Sequence, residues 1–292
     1  MSFKGGLEVR KLDLACIDDI DALSKMLKLA FSNEDWTNMI RLADKLYEES
    51  AILYHYQLQQ PTKKNSHSRP LIYYIGYSQL CKGVAYQKLK KFNSSRDCIE
   101  KYTDLSWMKG VEENEKYIIE DFRIFASGNT FTVDLMEGRH SVLGDYVQYL
   151  KQYRRELVPG MITILEYAIK NDLSIDWVLA DLSKELGEIE RNPDNSTTAR
   201  YYTEYLYLLS LYKYKQGDYH DAAEKNLEAL TSSVKLEDNT AFKKLTALFE
   251  AFREFASNQQ EQVYQLQLKS ILERVLMNEK DISFSTIHSG SN

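Results

Sequence analysis

Proline is scarce in this chain, with four in 292 residues. Pro61 and Pro70 bound a polar run, Pro159 follows a charged stretch and Pro193 lies in "RNPDNSTT". None interrupts a long periodic segment, as expected of a chain built mostly of helices. Valine and isoleucine do not gather into alternating runs between glycine-rich turns, which argues against a sheet protein. Cysteine is scarce too. Cys16, Cys81 and Cys98 form neither a CxxC nor an even framework, so they read as reduced thiols of a cytoplasmic protein, and the sequons at Asn93 and Asn195 read as chance matches. No apolar run reaches the ~20 residues that span a bilayer, and the N-terminal "MSFKGGLEVRKLDLACIDDID" has no signal-peptide core. A net charge of −6 supplies no general basic surface for nucleic acid.

Chemical motifs are absent as well. The chain has no G-x-S-x-G elbow, Walker loop, G-x-G-x-x-G or H-E-x-x-H. Its five histidines (His55, His67, His140, His220 and His288) have no second ligand at metal spacing. The expectation is a protein that is not an enzyme and needs neither cofactor nor metal. Cys81 and Cys98 fit best as packed core thiols.

What the chain has is apolar residues at helical spacing. Ile20, Leu23, Leu27 and Ala30 form a stripe, a "SNEDW" corner follows, and Met39, Leu42, Ala43 and Leu46 form the next. After the polar run at 59–70, read as a mobile loop, helix pairs continue through corners at "KKF" and "GRHSV". Pro159 suits a helix first turn, and Ser174 is placed to cap the helix after it. Phe242, Leu245, Phe249 and Phe252 mark one late helix; Val263, Leu266, Ile271 and Val275 mark the last. The boundaries read as an extension at 1–17, one helical repeat domain at 18–278 and a flexible tail at 279–292. The expected fold is all-α, an antiparallel helix-pair solenoid whose units bury their apolar faces by stacking.

The most legible hairpin is "YKYKQGDYHDAAEKNLEAL" at 212–230. Gly217 provides a corner tolerant of positive φ, Ala222 and Ala229 allow close helix approach, and Tyr219 fills the space under the turn. This stretch resembles a tetratricopeptide (TPR) repeat, with Leu206 and Leu209 at its first-helix apolar positions. It departs from the repeat at Ser210, Asn226 and Val234. The segments around Trp36 and Phe92 match more weakly.

Phrases such as "YYIGYSQLCKGVAYQKLKKF", "EKYTDLSW" and "LVPGMITILEYAIKNDLSID" give a wider resemblance. They are similar to the TPR-like sensor half of Gram-positive Xre-type regulators, related to the peptide-responsive RRNPP group. The resemblance covers roughly residues 18–278. It implies binding of a short peptide or protein segment, linked to transcriptional or quorum-type signalling, and it admits a homodimer. The relatives' N-terminal helix-turn-helix has no counterpart here, so direct DNA binding by this chain is not expected. Two alternatives stand beside this reading. One is a non-enzymatic protein–protein scaffold. The other, more remote, is a response-regulator phosphatase, for which only the stretch around Gln57 is suited.

In such a repeat the first helix of each pair lines a concave groove. By phase the groove residues are Tyr77, Leu80, Val84, Gln87 and Lys88 in one unit, and Tyr207, Leu211, Tyr214 and Lys215 in another. Tyrosine suits this role, offering area with little entropy to lose and a hydroxyl for a peptide backbone. Tyr205, Tyr212 and Tyr219 equally fit as core. "FASGNTFTVDL" places the poor helix formers Gly128, Asn129, Thr130 and Thr132 inside a long helical pattern. Two readings stay open there: a close helix crossing, or a ligand backbone meeting the Asn129 amide beside Thr132.

Overall fold

The computed structural model describes residues 17–60, 67–189 and 196–278. Among these the fold is all-helical, with thirteen α-helices and no strand. The chain divides into two compact units, Met1–Tyr146 and Val147–Asn292. The expected extension, the tail, Cys16, the Asn195 sequon and most of the expected loop fall outside the described residues.

The first unit contains α1 (Ile20–Ser32), α2 (Trp36–Gln59), α3 (Leu71–Lys88), α4 (Phe92–Thr103) and α5 (Lys116–Met136). The boundary between units falls within α6 (Leu143–Gln152). Successive helices pack on one another, and α3 also touches both α1 and α5. Ile20, Leu23, Leu27, Leu42, Ala43, Leu46, Ile72 and Tyr102 are buried at the centre. α3 is apolar nearly all round, which suits a helix with neighbours on most sides.

The second unit contains α7 (Leu157–Asn171), the short α8 (Asp176–Asp181) and α9 (Ser183–Gly187), α10 (Ser196–Lys215), α11 (Tyr219–Lys235), α12 (Asn239–Phe252) and α13 (Asn258–Asn278). Here α10 packs on α7 and α11, and α11 on α12 and α13. Pro159 lies in the first turn of α7, and the Ser174 hydroxyl accepts from the Asp176 N–H at the start of α8 (3.3 Å).

Among the described residues one corner recurs at five places, and the end of α7 has a variant of it at Asp172 (φ 55°), where Leu173 donates to the Ala168 carbonyl. Glu34, Lys90, Gly138, Gly217 and Glu237 each hold φ between 53° and 93° directly after a helix. At each, the next residue donates its N–H to the carbonyl five positions back: Asp35 to Ala30, Lys91 to Tyr86, Arg139 to Asp134, Asp218 to Lys213 and Asp238 to Ser233. With the accompanying bond from the left-handed residue itself, this is the Schellman arrangement that satisfies the last carbonyls of a helix. Asp35 and Asp238 then cap the following helix, accepting from the Asn38 and Ala241 N–H groups (3.1 and 3.0 Å).

In the α10–α11 hairpin Gly217 has the expected positive φ (80°), and Ala222 and Ala229 are fully buried. The departures acquire roles. The Ser210 hydroxyl donates to the Ala222 carbonyl across the hairpin (2.7 Å), and the buried Asn226 amide donates to the Leu245 carbonyl of α12 (3.1 Å). α13 differs from the expected stripe. Leu266 and Val275 are 65% and 46% exposed. The packed line runs instead through Tyr264, stacked 4.0 Å from Phe249, and Gln267 and Arg274, which bond α11.

Candidate functional site

α3 is held by contacts in four directions. Tyr74 donates its hydroxyl to Asp21 of α1, and Lys82 pairs with Asp44 of α2 (2.5 Å). Gly83 lies under Cys98 of α4, where an added Cβ would meet the Cys98 Cβ at 3.3 Å. Gly76 lies under Phe122 of α5, where an added Cβ would meet the ring at 2.5 Å. Glycine at 76 is what lets α5 come so close. Between the α1 and α5 contacts runs a half-buried stripe, Tyr73, Tyr77, Leu80 and Val84.

The stripe is ordered by its own rings. Tyr73 and Tyr77, four residues apart, stack at 5.3 Å with planes 11° apart, and the Arg69 guanidinium lies 5.4 Å from the Tyr73 ring centre. Burial raises the Tyr73 hydroxyl pKa. Burial also pushes the Cys81 thiol up to about 12, against smaller opposing effects of its hydrogen bond to Tyr77 and the Lys28 charge. Cys98 is likewise buried and raised, so these two free thiols behave as core atoms and not as nucleophiles.

At the far end of the stripe two residues selected from the sequence meet. The Gln87 amide donates to the Asn129 side-chain oxygen (3.2 Å), and the Asn129 amide donates to the Phe125 carbonyl (3.0 Å). Gln87 is buried and Asn129 half-buried. A carboxamide carries two donors and a two-lone-pair acceptor, so these bonds use only part of what the pair can offer. Lys88 is exposed next to them. Thr132, one turn beyond Asn129, shares a hydrogen bond with the Tyr146 hydroxyl (3.2 Å).

α5 stays unbroken through Gly128 and Asn129. Ser127, Asn129 and Thr130 each donate to the carbonyl four residues back, so each has one polar bond along its own helix. The close crossing of α3 and α5 uses Gly76 of the partner helix. The close approach of α3 and α5 is thus made at Gly76 and Phe122, and the Asn129 side chain bonds Gln87 of α3 and the Phe125 carbonyl.

The residues selected on α10 have other surroundings. The Lys244 ammonium lies 5.9 Å from the Tyr207 ring centre. Tyr214 packs between Tyr219 and Phe252, at 5.6 and 5.7 Å. Lys215 donates to the Ile169 carbonyl and pairs with Asp172, both at 2.9 Å, at the end of α7. Leu211 is half-buried. Tyr205 and Tyr212 are core, and the Tyr212 hydroxyl accepts from the Ile175 N–H (3.0 Å) while donating to Asp176 (2.9 Å).

Tyr73 was not among the residues selected from the sequence, although its position four residues before Tyr77 is the spacing that could have found it. Among the described residues no cluster of His, Cys, Asp or Glu could hold a metal, and no helix is long and apolar enough to cross a membrane. No family model, curated protein or solved structure matches the chain.

Proposed function

We propose that this chain is a non-catalytic, TPR-like regulatory protein that binds a short peptide, or an extended segment of a protein, along the inner stripe of α3. The observation that carries this reading is the stripe itself. Tyr73, Tyr77, Leu80 and Val84 stay half-buried on a helix otherwise enclosed by neighbours, and the Gln87–Asn129 amide pair lies at their end. Stacked tyrosines offer apolar area at low entropic cost, and side-chain amides can bond a backbone that lacks a strand partner. From Tyr73 to Val84 the helix rises about 16 Å, room for about five extended residues. A ligand touching α3, α5 and α1 together can bias their packing, which makes the complex a signal as well as a binding event. The similarity to peptide-responsive regulator sensors supports the same assignment.

Hydrogen exchange on the full chain, with and without a pool of random hexapeptides, tests it. Slower exchange is expected in α3 and α5, and Tyr77→Ala should weaken binding by about tenfold or more. Unchanged exchange throughout both helices would sink the proposal.

The scaffold reading has its own observation. α13 exposes four large apolar side chains, Leu266, Leu272, Val275 and Met277, and exposed apolar surface of this kind favours docking of another protein. A pull-down that yields one stable protein partner, lost with Leu266→Asp and indifferent to Tyr77→Ala, would favour it.

A further inference from the structure

Asp21, Lys25 and Lys28 recur at helical spacing on α1, on the edge where Asp21 meets α3. Asp21 bonds Tyr74 directly, and the Lys28 charge acts on the Cys81 thiol, one turn past Tyr77. The Asp21 carboxylate is taken by three donors, the Tyr74 hydroxyl and the hydroxyl and N–H of Ser68. It forms no ion pair with either lysine. Lys25 and Lys28 are exposed, and among the described residues neither has an ion-pair partner. Arg69, also exposed, lies over Tyr73 at the start of the same stripe. On α5, Asp121 is half-buried and already engaged within the chain. A chain of net charge −6 therefore sets a row of cations along one edge of its aromatic stripe.

We propose that the inner face of the first unit takes a short acidic peptide, its carboxylates along Lys25, Lys28 and Arg69 and its apolar side chains on Tyr73 and Tyr77. This rests on the peptide-binding reading above and specifies its ligand. Charge complementarity of this kind steers encounter and selects partners more than it adds affinity. Exposed pairs are screened over about 10 Å at ordinary salt, and each changes affinity by no more than about fivefold. Two charge reversals, which also add repulsion, should together cost about tenfold.

The test uses the full chain and a bead-bound library of random hexapeptides. Selected sequences are expected to be enriched in Asp and Glu, with binding weakened at high salt. Lys25→Glu with Lys28→Glu should weaken the selected acidic peptides by about tenfold and move the selection toward neutral or basic sequences. Lys243→Glu, on exposed α12 surface of the second unit, adds the same kind of charge outside the first unit and should change affinity by less than about twofold. Helix content by circular dichroism confirms that each variant is folded. Selection of neutral or basic peptides by the wild-type chain, or equal losses from Lys243→Glu, would overturn the acidic assignment and leave peptide binding standing. Selection of no sequence above bare resin would remove peptide binding itself.

Discussion

α3 of the first unit and α10 of the second each open a helix hairpin, and they are held in different ways. α3 packs by absence: Gly76 and Gly83 let Phe122 and Cys98 approach its backbone. α10 packs by polar reach. Ser210 bonds the Ala222 carbonyl, Tyr202 bonds Glu228 (2.8 Å), Thr203 shares a bond with Ser232 (2.7 Å) and Tyr212 holds the start of α8. The difference bears on function. On α3 the glycine contacts to α4 and α5 and the polar ties of Tyr74 and Lys82 leave Tyr73, Tyr77, Leu80 and Val84 as a continuous stripe. On α10 Tyr207, Tyr214 and Lys215 all contact groups of their own unit. The first unit thus offers the better-formed face.

The largest effects should come from the glycine crossing. Phe122→Ala is expected to cost about 3–5 kcal/mol by leaving a cavity between α3, α4 and α5. Gly76→Ala should cost about 1–3 kcal/mol through overpacking against the same ring. If the contact is the cause, Gly76→Ala in a Phe122→Leu background should cost measurably less than in the wild type. Additive losses in urea unfolding would show that the glycine acts by some other route.

The polar counterpart on α10 is Tyr212→Phe. It leaves the buried Ile175 N–H without its acceptor and the Asp176 Oδ1 without the tyrosine donor, while Ser174 still bonds Oδ2. The expected loss is about 1–3 kcal/mol. Hydrogen exchange should locate the opening at α8, and a loss spread evenly over α10 and α11 would contradict the assigned role.

The corners provide a smaller and signed test. Gly217→Ala places a Cβ at φ 80° and should destabilise by about 1 kcal/mol. Lys90→Gly does the reverse, relieving a left-handed lysine at φ 58°, and should stabilise by up to about 1 kcal/mol. Because Lys90 lies beyond the α3 stripe, this gain should leave peptide affinity unchanged. The same sign for both substitutions would mean that the corners are not equivalent.

These corners also explain which parts of the fold were legible in the sequence. The α10–α11 hairpin announced itself because its left-handed residue is glycine and its contact residues are alanine. The same backbone corner is built on Glu34, Lys90 and Glu237, which carry no turn signal, so the other hairpins showed only as helical phase with an aromatic following. Backbone hydrogen bonds define the corner, and many side chains tolerate it at modest cost. For the candidate site, helical spacing was enough to place Tyr77, Leu80 and Val84 on one stripe. The meeting of Gln87 with Asn129 depends on how closely α3 and α5 cross, which Gly76 decides from 53 residues away along the chain. The surroundings of Tyr214 and Lys215 were not legible for the same reason: Phe252 and Asp172 reach them only through tertiary packing.

The smallest predicted effect sharpens the comparison at the acid end of the pH scale. Burial tends to raise the Asp21 pKa, but hydrogen bonds from Ser68 and Tyr74 outweigh it and hold the carboxyl below its ordinary value of 3.8. A carboxyl depressed in the folded state stabilises fully above its unfolded pKa, and the contribution disappears as pH falls through the lower folded value. Wild type should therefore lose a little stability below about pH 4 that Asp21→Asn, which cannot ionise, does not lose. The group is only partly buried, so the difference should be about 0.5 kcal/mol. In the second unit the corresponding tie is Tyr212 with Asp176, at the start of α8. If Asp21→Asn leaves the wild-type pH profile unaltered while α1 stays docked by hydrogen exchange, the hydroxyls hold α1 on α3 without help from the charge. The basic edge formed by Lys25 and Lys28 would then need no carboxylate to keep it in place.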